Sequence, residues 1–235
     1  MKTLFIIPAR GGSKGIIGKN IKSFAGKPMI CHSIDAARHI ASDDNICVST
    51  DDYKIIETVR NYGLDVPFKR PDILATDTAS TNDVLLHAID FYENQGIYYD
   101  TLVLLQTSSP FRNYQHIKEA INLYSPDIHM VVSVHETKSN PYYGLFEENT
   151  EGYLTASKTL DVPITRRQDV PKVYEYNGAV YVINVAVFKE KKKLSDLSRI
   201  KKYEMSALES VDLDTPVDWA YAEFLLEKGY VKMGI

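Results

Sequence analysis

Apolar residues in the first half of the chain follow two rhythms. Short continuous runs, "TLFII", "NICVST", "TLVLLQ" and "HMVVSV", read as strands buried on both faces. Between them the apolar positions fall at helical spacing. Ile30, Ile34, Ala37 and Ala41 follow Pro28, and Ile55, Ile56, Val59 and Tyr62 follow Asp51 and Asp52, which can cap that helix, with Gly63 as its stop. "TNDVLLHAIDFYENQG" predicts a helix opened by Thr81 or Asn82 and closed at Gly96, and "QHIKEAINLY" a further one. Strands alternating with amphipathic helices predict βαβ units and a mostly parallel sheet. Ligands of such sheets bind at the carboxyl ends of the strands, so the loops after "LFII", "CVST" and "LVLLQ" are the places to search.

The rhythm changes near Lys138. "NPYYGLFEENTEGYL" alternates and turns as antiparallel strands do, and "VPITRRQDVPKVYEYNGAVYVINV" is polar and then β-rich. This predicts one domain over residues 1–235 whose α/β body carries a β-rich lobe at about 138–180. The chain closes on a signed helix: Thr215-Pro216-Val217-Asp218 is a capping box with proline at the first helical position, and Trp219, Ala222, Phe224, Leu225 and Leu226 supply its apolar faces. The lysine run Lys189–Leu194 reads as a solvated helix face.

Composition narrows the function classes. The 235 residues are 44% hydrophobic and 25% charged with a net charge of -4, an ordinary globular balance. Such a charge offers no broad attraction to nucleic acid or a membrane surface, so any anion site is local. The run Leu4–Ile7 is too short for a secretion signal or a membrane span. A cytoplasmic protein is expected, with Cys31 and Cys47 as buried thiols.

The loop after the first strand, "ARGGSKGIIGKN", is the densest chemistry in the chain. It fits neither a Walker A loop nor a dinucleotide fingerprint. Gly11-Gly12-Ser13-Lys14-Gly15 matches a hydrolase elbow literally, but Gly15 and Gly18 are a poor helix start and no histidine base stands in a suggestive context. Bare backbone beside Arg10, Lys14 and Lys19 suits a phosphate-rich anion. Asp212 and Asp214, two apart in "VDLDTPVD", share a face if extended and suit Mg²⁺; alternatively Asp214 caps the final helix. "LLQTSSPFR" offers Gln106, Thr107, Ser108, Ser109 and Arg112 to a hydroxylated ligand, while Arg70, Arg166 and Arg167 are further candidate forks for anions.

Together "IPARGGSKGIIGKNI", "RPDILATDTAST", "LLQTSSPFR", "YNGAVYVIN" and "DLDTPVD" resemble the CMP-sialic acid synthetases, the acylneuraminate cytidylyltransferases, in order and over nearly the whole chain. The resemblance implies a Rossmann-like nucleotidyltransferase fold with helices on both sheet faces and a protruding β lobe used for homodimerisation. It implies transfer of CMP from CTP to a nonulosonic acid with release of pyrophosphate and with Mg²⁺. By position, Arg10, Ser13, Lys14, Lys19 and Asn20 would handle the triphosphate and ribose. Arg70 and Ser80 would contact cytosine, and Gln106 the sugar. Arg166, Arg167, Tyr176 and Asn177 would read the sugar, and Asp212 and Asp214 would hold the metal. Arg10, Lys19, Asp212 and Asp214 would be catalytic. Ile17 stands where the family usually has proline, which implies a less rigid loop, and Thr107 replaces the proline usual after the glutamine, which leaves the acid preference open among sialic, legionaminic and pseudaminic acids and Kdo. A nucleotide-binding regulator without catalysis is the reading of a different class.

Overall fold

The structure is a computed structural model that describes residues 1–162 and 166–234, with the backbone alone at Arg167. A six-stranded sheet runs through it in the order β10-β6-β9-β5-β1-β4. Its strands are β1 (Thr3–Pro8), β4 (Ile46–Ser49), β5 (Thr101–Leu104), β6 (Met130–Glu136), β9 (Tyr174–Asn184) and β10 (Ile200–Glu204). Five are mutually parallel and β9 runs against both neighbours, β5 and β6. β1, the first "strand then loop" unit, lies between β4 and β5, so its carboxyl end opens near the middle of the sheet. Short ribbons complete the strand set: β2 (Ser23–Phe24) with β3 (Lys27–Pro28), and β7 (Phe146–Glu148) with β8 (Leu154–Ala156).

Alternation along the strands divides the core into two layers. Phe5, Ile7, Val48 and Val103 face α1 (Met29–Arg38), α2 (Tyr53–Asn61) and α4 (Tyr114–Asn122). Leu4, Ile6, Cys47, Leu102 and Leu104 face α3 (Thr81–Glu93) and α5 (Val185–Lys191). This is the expected α/β architecture with helices on both faces, and it explains the unbroken apolar runs: both sides of each central strand are covered. Cys31 and Cys47 are free and buried, as expected, and burial raises both thiol pKa values.

The helix punctuation follows the expected chemistry with two corrections. Asp52 caps α2 through Lys54 N–H, but Asp51 turns away and accepts from Gly11 N–H at 3.0 Å. Ser80, rather than Thr81 or Asn82, caps α3 by accepting from Asp83 N–H. The lysine run starts on α5 but leaves it at Lys192, whose φ of 62° ends the helix. The closing helix α6 (Pro216–Glu227) has the full reciprocal capping box of Thr215 and Asp218. Its Trp219, Ala222 and Leu225 form a third apolar cluster with Ile16, Phe24, Phe111 and Leu213, which pins the glycine loop to the end of the chain.

Between β6 and β9 lies the β-rich segment, including the hairpin β7–β8, every residue of which is exposed. The last part of the predicted lobe, from Tyr174 to Val180, belongs to β9 of the six-stranded sheet, where Ala179 and Val180 are buried. β9 enters the sheet through a bulge, since Val132 pairs with Tyr181 but Val134 with Tyr176. Among the described residues no helix is long and apolar enough to cross a membrane.

Candidate functional site

A cleft of about 430 Å³ opens at the carboxyl ends of β1, β4 and β5. Its walls carry Arg10, Ser13, Lys14, Lys19 and Asn20 from the glycine loop, Arg70 from the segment before α3, Gln106 from the loop after β5, and Asp214 from the run before α6. Residues up to 204 positions apart in the chain thus meet where the parallel strands end, because each of those loops leaves the sheet on the same edge.

The glycine loop is held by acids and by α6. Ile16 is buried against the Trp219 cluster, while Ile17, next to it, is 92% exposed at the loop tip. A Cβ on Gly15 would lie 1.9 Å from the carbonyl oxygen of Asp214, so only glycine lets the loop approach the acidic run this closely. Lys19 Nζ donates to the Leu213 carbonyl at 2.7 Å and to Asp214 at 3.0 Å, and its side chain is largely buried. Arg10 and Lys14 share one carboxylate, Asp77, at 3.2 and 2.7 Å, which holds that acid below the usual carboxylate range, chiefly through Lys14. The sequence does not single out Asp77: it lies inside the stretch "RPDILATDTAST", but nothing local shows that it would pair with cations more than sixty positions away.

Asn20 joins two walls. Its amide donates to the Arg10 carbonyl at 2.9 Å, and its Oδ1 accepts from the Thr107 hydroxyl at 2.6 Å. The residue is buried, so the amide braces the loop and offers the cleft only its edge. Thr107, where the resembled family usually has proline, supplies the hydroxyl for this brace.

The acidic run docks through Leu213, whose N–H donates to Ser108 O at 2.9 Å. Leu213 is buried and Asp212 and Asp214 are exposed on either side of it, the alternation that an extended run requires. Asp214 pairs with Lys19 and does not cap α6, a role that Thr215 fills. Although Asp212 is exposed as a residue, its carboxylate is crowded by protein. Burial, and then the neighbouring charge of Asp214, push it up, against the pull of a hydrogen bond with Ser108 and of Lys19.

Four expected site residues are placed differently. Ser80 is spent on its cap, exchanging hydrogen bonds with Asp83, and is flanked by the wall residues Ala79 and Thr81. Asn177 is buried away from the wall: its Oδ1 accepts from Ser133, its Nδ2 donates to Ser210, and the β9 bulge is built on it. Tyr176 is half exposed with its ring edge-on to Tyr181. Arg166 forks onto Asp169 at 2.9 and 3.0 Å, outside the cleft wall, and the Arg167 side chain lies outside the described part of the structure. Arg70 does reach the wall, but with its guanidinium committed: Nε donates to Ser49 Oγ at 3.0 Å and Nη2 to the Ser49 carbonyl.

A serine nucleophile has no base here. His32 bonds the Phe24 carbonyl, His39 packs on Tyr114, His87 on Phe68, His116 meets Glu209, His129 meets Ser198 and His135 meets Glu175. The cleft wall instead offers cations, amides and the Asp214 carboxylate, with Asp212 just off the wall two positions earlier, an equipment for binding and stabilising phosphoryl groups without a covalent intermediate.

Known proteins point the same way. Residues 4–228 match the cytidylyltransferase family. The chain is 32% identical to the CMP-N,N'-diacetyllegionaminic acid synthase of Legionella pneumophila over 97% of both chains. It is 39% identical to the N-acylneuraminate cytidylyltransferase of Streptococcus agalactiae over 94% of its own length and 52% of that protein's, about half of the relative. The pseudaminic acid cytidylyltransferase of Campylobacter jejuni is 36% identical over 77% of this chain and 78% of its own. In fold, a CMP:2-keto-3-deoxy-manno-octonic acid synthetase complexed with CTP superimposes with a TM-score of 0.70 at 21% identity, covering 97% of this chain and all of the other. The chain belongs to the cytidylyltransferase family, in the group that includes the CMP-sialic acid synthetases.

Proposed function

We propose that the protein transfers CMP from CTP to the anomeric hydroxyl of a sialic-type nonulosonic acid and releases pyrophosphate. The observation that carries this reading is the meeting of Arg10, Lys19, Gln106 and Asp214 around one cleft in a chain of this family. The hydroxyl oxygen forms a bond to the α-phosphorus, the bond to the β-phosphate oxygen breaks, and the hydroxyl proton leaves to solvent. Arg10, Lys14 and Lys19 hold the β- and γ-phosphates as negative charge collects on them, and Arg70, fixed on Ser49, closes the side where the base lies. Gln106 orients the sugar from the opposite wall. CTP as a co-substrate places the work in the cytoplasm.

Asp212 and Asp214 suit a Mg²⁺ ion, which takes one or two carboxylates and completes its shell with phosphate and water. The fit rests on the donor set: two carboxylates on one face of an extended run, of which Asp212 is raised by burial and by its neighbour Asp214, would suit a divalent cation. A bound Mg²⁺ supplies polarisation of the α-phosphate and favours ionisation of the attacking hydroxyl. The reading includes a homodimer joined through the β-rich segment, where Phe146, Tyr153 and Leu154 project into solvent. Leu154→Lys is expected to turn a dimer into a monomer by light scattering; an unchanged mass removes the hairpin from the interface.

Incubating the chain with CTP and, separately, neuraminic, legionaminic, pseudaminic and Kdo substrates, and measuring pyrophosphate, decides the acceptor. Turnover of Kdo alone overturns the nonulosonic assignment. CTP binding without turnover of any acid favours a regulator.

A further inference from the structure

The loop after β5 carries a cation that the cleft wall leaves out. Arg112 is 2% exposed. Its Nη1 donates to the carbonyls of Gln106 at 2.7 Å and Ala179 at 3.1 Å, its Nη2 donates to the Ser33 hydroxyl, and its Nε has no partner. Among the described residues no carboxylate pairs with it, and burial alone works against its charge. A buried ion without a counter-charge is costly, so a loop that needed only packing would do better with methionine or leucine.

The three bonds reach three separate elements: the Gln106 loop, the β9 bulge and α1. Loop and bulge also touch directly. Gly178 has φ 73°, and a Cβ there would lie 3.3 Å from Gln106 Oε1. The Gln106 amide therefore rests on bare backbone whose next carbonyl, that of Ala179, is tied to the same guanidinium that holds the Gln106 carbonyl.

We propose that Arg112 is a positioning residue: by clamping the Gln106 loop to the β9 bulge it sets the pose of the Gln106 amide, and with it the grip on the acid sugar but not on the nucleotide. The proposal rests on the reading of Gln106 as a sugar contact given above. The planar fork is essential, because a lysine ammonium has no geometry that spans two carbonyls and a hydroxyl on three elements.

Arg112→Lys and Arg112→Met in the full chain test it. In both, KM for the acid sugar is expected to rise about tenfold or more, the loss of charge-assisted hydrogen bonds, while Kd for CTP stays within about threefold. A folded variant with sugar KM unmoved, or sugar and CTP weakened alike, overturns the proposal. If neither variant folds, Ser33→Ala removes one acceptor and leaves the rest; a rise in sugar KM of about threefold with CTP unchanged supports the clamp, and no rise overturns it. If the parent chain turns over no acid sugar, the functional reading fails, yet the clamp is still read by hydrogen exchange. Amides of residues 105–109 and 177–180 should then lose protection together in the variant, and a uniform or absent loss overturns it.

Discussion

On the glycine-loop wall of the cleft Arg10, Lys14 and Lys19 each meet a carboxylate near the surface, whereas behind the Gln106 wall Arg112 is buried and meets only carbonyls and a hydroxyl. The first arrangement is exchangeable. Asp77 and Asp214 compete with phosphate for these cations, and pairs whose carboxylate is exposed to water yield readily to a more highly charged anion. The second is fixed: a guanidinium with nowhere else to donate keeps its two segments together. The same residue chemistry thus serves handling in one wall and geometry in the other, and burial decides which.

The comparison breaks most visibly at the acidic run. Asp212→Asn is expected to lower kcat by at least ~10²-fold, the scale of one lost transition-state contact. Near-normal turnover would remove Asp212 from the reaction. Because Asp212 is raised, chiefly by burial, the folded protein holds that proton more tightly than the unfolded chain, and the charged carboxylate opposes folding at neutral pH. Asp212→Asn should therefore raise Tm at pH 7, with the advantage shrinking as pH falls through the carboxylate range. The parent's rate should fall in acid as Asp212 takes up its proton. A Tm that drops at neutral pH would show that the carboxylate is stabilised where it stands.

A smaller effect sharpens the exchangeable wall. Arg10→Ala should weaken CTP and slow turnover together, each by about tenfold, as expected for a charge-assisted contact to phosphate. Unchanged KM for CTP and kcat would contradict the assignment. Smallest is Asp77→Asn, which frees Arg10 and Lys14 from their resting partner. CTP should bind up to about fivefold more tightly, the worth of an exposed ion pair, and its salt dependence should steepen. Weaker CTP binding would mean that Asp77 shapes the loop instead of competing with phosphate.

Much of this protein is legible in the order of its residues. The continuous apolar runs became β1, β4 and β5 because parallel strands packed between two layers of helices are covered on both faces, and Gly63, Gly96 and the Thr215–Asp218 box ended or opened helices by local chemistry. The candidate cations and carboxylates were found because they cluster within short motifs. The roles of Asp51, Ser80 and Asn177 were not, since each was diverted by a partner: Asp51 by Gly11, Ser80 by Asp83, Asn177 by Ser133 and Ser210.

The sequence by itself therefore determined the layered α/β body, the ends of its helices and the chemical types gathered after its strands, because those depend on period and on neighbours a few residues away. Only the tertiary structure decided which cations are paired and by which acid, that Asn20 braces Thr107, and that Arg112 is buried between Gln106 and Ala179. All but the bond from Arg112 to Gln106 join residues tens to nearly two hundred positions apart, and a contact at that separation leaves no period in the chain to read.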